Sequence, residues 1–484
     1  MVIAALWLAC RSPVAGPDVV IVTVDTLRAD RLGFADHAPA RTPHLDALAE
    51  RGRVFRQATT PIPRTTPALA SLLTGLHPHH HGSREVGTRI AADVGTLADR
   101  LSGVGYATAG VSAMRVAGPQ QGLDRGFDAF SVVHDAPAAK VIEQAKAHLA
   151  GRRPVFLWVH LADPHFPYTP DGGDGPCAAL VPWGGDKGRA AIFGDREGRA
   201  SAALDDCRLR YDEEIARVDT AVGSLFEAVA SRDRPAVVVF SADHGENQGE
   251  QGLYYEHGPN VDDASLRVPL VVAGPGVTPG VDDGVIALTD LAPTLLGHLG
   301  HPTTGFDGED ASPRLRGEPP APDGLRYAES GSALHIRLFG SLLSGRRRHW
   351  CLHESPFSLC QRRSDAPRLY RHDVDPDLAT DVSAAHPAVK QRLLAASAHW
   401  PPESARERTV RDARFTLVAR PSIEGGYATL LVDRTDPEAD AAATHPDVLH
   451  RLTSALDAWE APRPDAPSRD ASTVEALRAL GYVE

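Results

Sequence analysis

The chain has 484 residues, 42% of them hydrophobic, which is enough to bury a sizeable core and to hold more than one domain. Its formal net charge of -13 argues against non-specific binding to nucleic acid. Past the first ten residues no stretch is long and apolar enough to span a bilayer, so any hold on a membrane is expected through the N-terminus alone.

Residues 1–10, MVIAALWLAC, are apolar but too short to cross a bilayer. Trp7-Leu8-Ala9-Cys10 has the shape of a bacterial lipoprotein cleavage site, although Trp7 stands where Leu is usual and no Lys or Arg precedes the apolar run. The expectation is an export signal over residues 1–17, with Cys10 lipidated and the protein in the periplasm or anchored there. The remaining cysteines form an even set. Cys351 and Cys360 flank a short loop and are expected to pair, and Cys177 and Cys207 bracket a Gly-rich insertion where pairing would fit an oxidising compartment.

Asp18–Asp30 reads DVVIVTVDTLRAD, a β-branched run that predicts a strand over Val19–Val24 and delivers Asp25 at its end. Thr42–Phe55 predicts an amphipathic helix with Leu45, Leu48 and Ala49 inward, ended by Gly52. Thr60–Gly75, TPIPRTTPALASLLTG, follows. Prolines at 61, 63 and 67 hold its first part extended, and a helix is expected from Ala68. A Thr just ahead of a helix has its hydroxyl at the positive end of the dipole, where free N–H groups gather. That position suits a nucleophile attacking phosphate or sulfate, and equally an N-cap.

Gly105–Val111 and Val155–Val159 read as strands and Ala138–Leu149 as a helix; the second strand runs into HLADPHFPY, where Asp163 can cap a turn. Asp171–Arg199 has no periodicity and reads as a surface loop or lid. Tyr211–Ala230 is a helix whose Asp212, Glu213 and Asp219 form a solvated face with one packing contact. Val237–Glu246, VVVFSADHGE, is a second β-branched run, ending in Asp243 and His244, and the glycines of NQGEQGLYYEHGPN predict a mobile loop over the site. Leu266–Ala273 is a buried strand and Asp290–Leu299 a helix. Two buried strands that each end in a carboxylate fit a parallel α/β sheet with its site at the C-terminal edge. A carboxylate, a hydroxyl and an Asp-His pair can together hold one divalent cation, and the imidazole shifts preference from Ca toward Mn or Zn. Past about residue 320, short strand-like runs alternate with Arg/Pro-rich turns. Val374–Trp400 parallels Thr435–Trp459, each running Asp-Pro, His-Pro, then a helix ending in Trp.

In this order and over nearly the whole mature chain, VDTLRAD, PALASLLTG, DPHFPY (Asp163–Tyr168), SADHGE, LRVPLVVAGPG (Leu266–Gly276), TDLAPTLL (Thr289–Leu296) and LRALGYVE (Leu477–Glu484) resemble the sulfatase branch of the alkaline phosphatase superfamily. The resemblance implies an α/β fold in which a large, mostly parallel sheet is sandwiched by helices, with a small C-terminal α+β subdomain. The expected boundaries are 18–340 for the catalytic domain and 341–484 for the subdomain, the latter with its duplicated unit. It also implies that the His-rich His77–Ser83 is a turn away from the metal. Counting back from LLTG puts Thr65 at the nucleophile position, with Pro67 matching and Leu69 where an Arg belongs. Sulfatases carry Cys or Ser there and oxidise it to formylglycine, which Thr cannot become. Thr26 replaces a second metal-binding carboxylate, His244 an Asn, and Gln251 a His. These departures resemble the Thr-nucleophile relatives: phosphonate hydrolases, phosphodiesterases, and lipoteichoic-acid and phosphoethanolamine transferases. Asp25, Thr65, Asp243 and His244 are then the expected ligands of one divalent ion. His257 matches the position of a sulfate-binding Lys and can bind or protonate a leaving oxygen. His165 matches a His that touches substrate oxyanions, or is a turn residue.

The expected function is a metal-dependent hydrolase or transferase that cleaves phosphate, phosphonate or related esters through Thr65. The substrate would be a small molecule or a glycan- or lipid-linked ester, with no nucleic-acid partner. The alternatives are a sulfuric ester hydrolase without formylglycine and a non-catalytic periplasmic binding protein that keeps the fold.

Overall fold

The structure is a computed structural model that describes residues 16–170 except Asp135, Cys177, 199–250, 254–258, 261–320 and most of the chain from 325 to 459. Cys10, Gln251, Trp400, LRALGYVE and nearly all of the loop expected over Asp171–Arg199 lie outside the described residues.

Eight strands form the central sheet: β1 (Asp18–Val24), β2 (Arg53–Thr59), β3 (Ala107–Ser112), β4 (Ala129–Val132), β5 (Val155–Leu161), β6 (Ala236–Ala242), then, after a short ribbon of β7 (Asn247–Gln248) and β8 (Tyr254–Glu256), β9 (Leu270–Ala273) and β10 (Gly280–Ala287). Their order is β10-β2-β9-β6-β1-β5-β3-β4. Every pairing is parallel except those of β9, which runs against both neighbours. The sheet is therefore large and mostly parallel, as expected. The central strands β1, β5 and β6 are largely apolar and are buried almost throughout on both faces, the condition for a parallel sheet between helical layers. One layer packs the helices Pro43–Glu50, Ala138–Lys146 and Arg199–Ala230 together; the other gathers Pro78–His81, Leu97–Gly103 and Leu291–His298 around Thr65–Thr74.

Several expected boundaries shift: the strand expected over Leu266–Ala273 begins at Leu270, after a helical turn over Asp263–Leu266, and the helix expected from Tyr211 begins at Arg199. The helix begun at Pro43 buries Leu45, Leu48 and Ala49 but stops at Glu50, because Val54 and Phe55 belong to β2. The helix expected from Ala68 begins at Thr65. Pro67 sits in its first turn, where no intrahelical acceptor awaits the missing N–H, so the proline does not delay the start.

The C-terminal part holds two five-stranded antiparallel sheets. One comprises β12 (His335–Leu338), β13 (Ser341–Arg346), β14 (His349–Glu354), β15 (Phe357–Arg362) and β16 (Arg368–Arg371); the other comprises β11 (Arg326–Glu329), β17 (Arg408–Arg411), β18 (Phe415–Pro421), β19 (Tyr427–Asp433) and β20 (Asp436–Asp440). The second begins at Arg326, ahead of residue 340. Each sheet is followed by a helix opening on His-Pro, at Pro387 and Pro446. Cys351 and Cys360 are cross-strand partners in the β14–β15 register, their side chains lying outside the description, while Cys177 and Cys207 are joined by a disulfide.

Candidate active site

Register builds the site. Val24 pairs with Ala242 on one side and Leu161 on the other, so Asp25 and Asp243 leave neighbouring strands in step at the C-terminal edge of the sheet. One residue back, His160 of β5 lies beside Thr23 of β1. Asp25, His160 and Asp243 each offer a ligand atom within 4.8 Å of the others, and all three residues are fully buried. Thr26 then turns the chain away with a left-handed φ of 55°; the Tyr211 hydroxyl donates to its carbonyl at 2.7 Å and accepts from Arg28 N–H at 2.9 Å.

Both carboxylates are short of partners. Neither oxygen of Asp25 nor Oδ2 of Asp243 has a hydrogen bond, while Asp243 Oδ1 accepts from the N–H groups of His244 (2.7 Å) and Thr26 (3.2 Å). Burial pushes Asp25 up to about 8 and Asp243 well above the ordinary carboxylate range, each aggravated by a neighbouring acid. Two buried carboxylates with unpartnered oxygens are what a divalent cation would satisfy.

The histidines are set to offer lone pairs. His244 Nδ1–H donates to the Gly245 carbonyl at 2.9 Å, which leaves Nε2 as the acceptor nitrogen, 3.7 Å from Asp25, 3.4 Å from Asp243 and 3.5 Å from Thr65 Oγ1. His160 Nδ1 meets Thr23 Oγ1 at 3.0 Å. That hydroxyl accepts from Trp158 Nε1–H at 3.1 Å and can donate to the Val159 carbonyl at 3.3 Å, a pattern that puts the proton on His160 Nδ1 and the lone pair on its unpartnered Nε2. Burial lowers His160 to about 3 and His244 well below its usual value, so both rings are neutral, as metal ligation requires.

Thr65 opens the fully buried helix Thr65–Thr74 and is 3% exposed. It is the first helical residue, and Arg64 holds the cap position in an extended conformation. Leu69 is fully buried in the hydrophobic core. His257 faces His244 with ring centroids 4.5 Å apart and faces His165 at 5.4 Å. Its Nδ1 lies 3.3 Å from Glu246 Oε1, and the other oxygen of Glu246 accepts a short bond from the Tyr168 hydroxyl. Burial raises Glu246 to about 7 and lowers His257, whose basicity the charges of His165 and Arg64 reduce further. His165 is half-buried and donates from Nδ1 to the Phe166 carbonyl at 2.7 Å, while Asp163 caps the helix at Ala138 N–H (3.0 Å).

All six residues singled out from the sequence, Asp25, Thr65, His165, Asp243, His244 and His257, therefore converge at one sheet edge. His160, Arg64 and Glu246 stand with them and were not singled out. The His-rich turn stays apart: His81 bonds Ser71 at 3.0 Å and His80 meets Asp307 at 2.7 Å.

The Sulfatase family profile matches residues 17–301. The chain is 26% identical to the ulvan-active sulfatase of Formosa agariphila, over 63% of this chain and 66% of that protein. It is 27% identical to the choline-sulfatase of Rhizobium meliloti, over 85% of this chain and 92% of that one. In fold it is similar to the phosphonate monoester hydrolase of Silicibacter pomeroyi, with a TM-score of 0.63, 21% identity and coverage of 93% and 96%. The phosphonate monoester hydrolase of Agrobacterium radiobacter gives a TM-score of 0.52 at 21% identity, covering 79% of this chain and 96% of that one.

Proposed function

The chain belongs to the sulfatase family of the alkaline phosphatase superfamily and is a hydrolase of ester bonds, and from that premise we propose that it cleaves phosphate or phosphonate esters with Thr65 as nucleophile. The carrying observation is that Thr65 Oγ1 stands 3.5 Å from His244 Nε2, beside two buried carboxylates that lack partners. Asp25, Asp243, His160 and His244 would hold a divalent metal, Mn or Zn by their mixed oxygen and nitrogen donors, with Thr65 Oγ beside them. Such an ion, when bound, lowers the pKa of the Thr hydroxyl and neutralises charge on the transferring group. Thr65 Oγ, its proton given up to solvent, forms the bond to phosphorus as the bond from phosphorus to the ester oxygen breaks. Glu246, raised to about 7 by burial and held by Tyr168, supplies through the His257 imidazole the proton that the leaving oxygen takes up, and His165 contacts the non-bridging oxygens. Water then releases the phosphoryl group from Thr65.

A sulfuric ester substrate is the second reading, favoured by the sulfatase relatives. It is the weaker one because Thr has no second hydroxyl through which sulfate could leave by elimination, as it does from formylglycine. The test is turnover of p-nitrophenyl phosphate mono- and diesters, a phosphonate and a sulfate, with added Mn or Zn, by wild type and Thr65→Ala. Phosphorus esters should dominate, and Thr65→Ala should retain the fold and the metal but lose turnover. Full activity in Thr65→Ala would sink the nucleophile assignment, and faster turnover of the sulfate would favour the second reading. Export is part of the proposal, supported by the Cys177–Cys207 disulfide, and intact mass of membrane-extracted protein checks it at Cys10.

A further inference from the structure

Arg64 is 6% exposed and its Nε has no hydrogen-bond partner. Among the described residues no acceptor pairs with its guanidinium. Arginines buried to the same degree are treated differently: Arg28 pairs with Asp30 and Glu250, Arg326 with Asp290, Arg406 with Glu85, and Arg411 with Asp263. A buried cation without a counter-charge is costly, so an anion that completes it is expected to come from outside the chain.

Two observations fix where that anion would sit. Arg64 immediately precedes Thr65, at the N-terminus of a ten-residue helix. Gly258 follows His257 with a φ of +100°, and a Cβ there would come within 2.1 Å of Arg64 Nε and 2.5 Å of its Cζ. The guanidinium is therefore pressed against the backbone of the His257–Gly258 turn, and its charge is felt at both His244 and His257. Glycine at 258 is what leaves room for it.

We infer that Arg64 is the receptor for the charged, non-bridging oxygens of the ester, binding the tetrahedral oxyanion beside Thr65. The inference rests on the reading of the site as an ester-cleaving centre and narrows its substrates. A planar guanidinium matches two oxygens of a phosphoryl or sulfuryl group at once, whereas a neutral triester presents no charged oxygen to it. Esters that keep at least one negative charge are its substrates, and neutral triesters are excluded.

The test is calorimetric titration of inorganic phosphate, and separately of inorganic sulfate, into the Mn-loaded protein, in wild type and in the Thr65→Ala background. Arg64→Met should weaken phosphate binding by about 10- to 100-fold in both backgrounds. Arg64→Lys should recover part of that loss, because it restores the charge but not the fork. Mn affinity, titrated separately, should stay unchanged. The inference is overturned if Arg64→Met binds phosphate as wild type does, if Mn affinity falls as far as phosphate affinity, or if wild type binds neither ion. No turnover is involved, so Arg64-dependent binding in a Thr65→Ala protein that remained active would refute the nucleophile and leave the receptor standing.

Discussion

Asp25 holds its proton more tightly in the folded chain than in the unfolded one, up to about 8 against an ordinary 3.8, because burial removes water and the charge of Glu246 adds to the effect. The sign of the consequence follows from linkage. A carboxyl raised on folding contributes stability that is fully present below pH ~4 and is lost as pH climbs through about 8. Metal-free protein should therefore melt at progressively lower temperature between pH ~5 and ~8, and Mn, which competes with those protons, should raise the melting temperature more at pH ~8 than at ~5. Calorimetric melts with EDTA or Mn across that window check this, with Asp25→Asn as the control that flattens the metal-free slope. A metal shift independent of pH would count against the two carboxylates as ligands. Asp25 and Asp243 were legible in the sequence because each ends a β-branched run. His160 was not, since it lies inside such a run, one residue before Leu161; the signal available was a lone imidazole in an otherwise apolar strand. Arg64 was hidden among prolines, and only the fold brings Gly258 against it.

Elements were read better than their ends. The strands at Asp18, Val155 and Ala236 stand where periodicity put them, whereas β2 and β10 were not foreseen, because RVFRQAT and GVDDGVIA carry charge inside short apolar patterns. The Arg199–Ala230 helix shows what a pattern cannot price. Asp219 looked like part of a solvated face with one packing contact, yet it is 1% exposed and accepts from the N–H groups of His44 (3.2 Å) and Leu45 (2.8 Å). It thus satisfies the orphaned donors that begin the Pro43–Glu50 helix. One turn on, Gly223 lets the two helices close up, since a Cβ there would meet His44 at 2.5 Å. Asp219→Ala should cost about 1–3 kcal/mol by leaving both donors buried without an acceptor. Urea unfolding measures it, and Mn affinity should not move. Stability equal to wild type would mean that water replaces the carboxylate.

At the scale of the whole molecule, the C-terminal sheet serves as a wall of the site. Glu329 N–H on β11 donates to the Pro61 carbonyl at 2.9 Å, inside the stretch that leads to Thr65. Glu407 accepts from Val261 N–H at 3.3 Å, and Val261, Leu266, Ala328 and Val418 form one small apolar cluster between the site loop and the sheet. The composition change near residue 320 marked a second unit but could not show that its first strand reaches back to Pro61, in the stretch leading to Thr65, because that contact joins segments far apart in the chain. Arg326, 6% exposed, anchors β11 by donating to Asp290 at 2.6 Å and to Glu309 at 3.0 Å. Asp290 keeps two backbone donors, Ala287 N–H and Glu309 N–H, both at 2.8 Å, but without Arg326 its buried charge is uncompensated. Arg326→Ala should therefore destabilise the protein by about 3 kcal/mol. The loss should be local in its first expression. In native-state hydrogen exchange, the Glu329 amide that holds Pro61 should open at lower free energy, while amides of β1 and β6 keep the protection of the global core. Turnover should fall with the Glu329 amide's protection rather than with core stability, since Pro61 and the start of the Thr65 helix lose their support together. Unchanged exchange at Glu329 in the Arg326→Ala protein would show that the apolar cluster alone holds the wall in place.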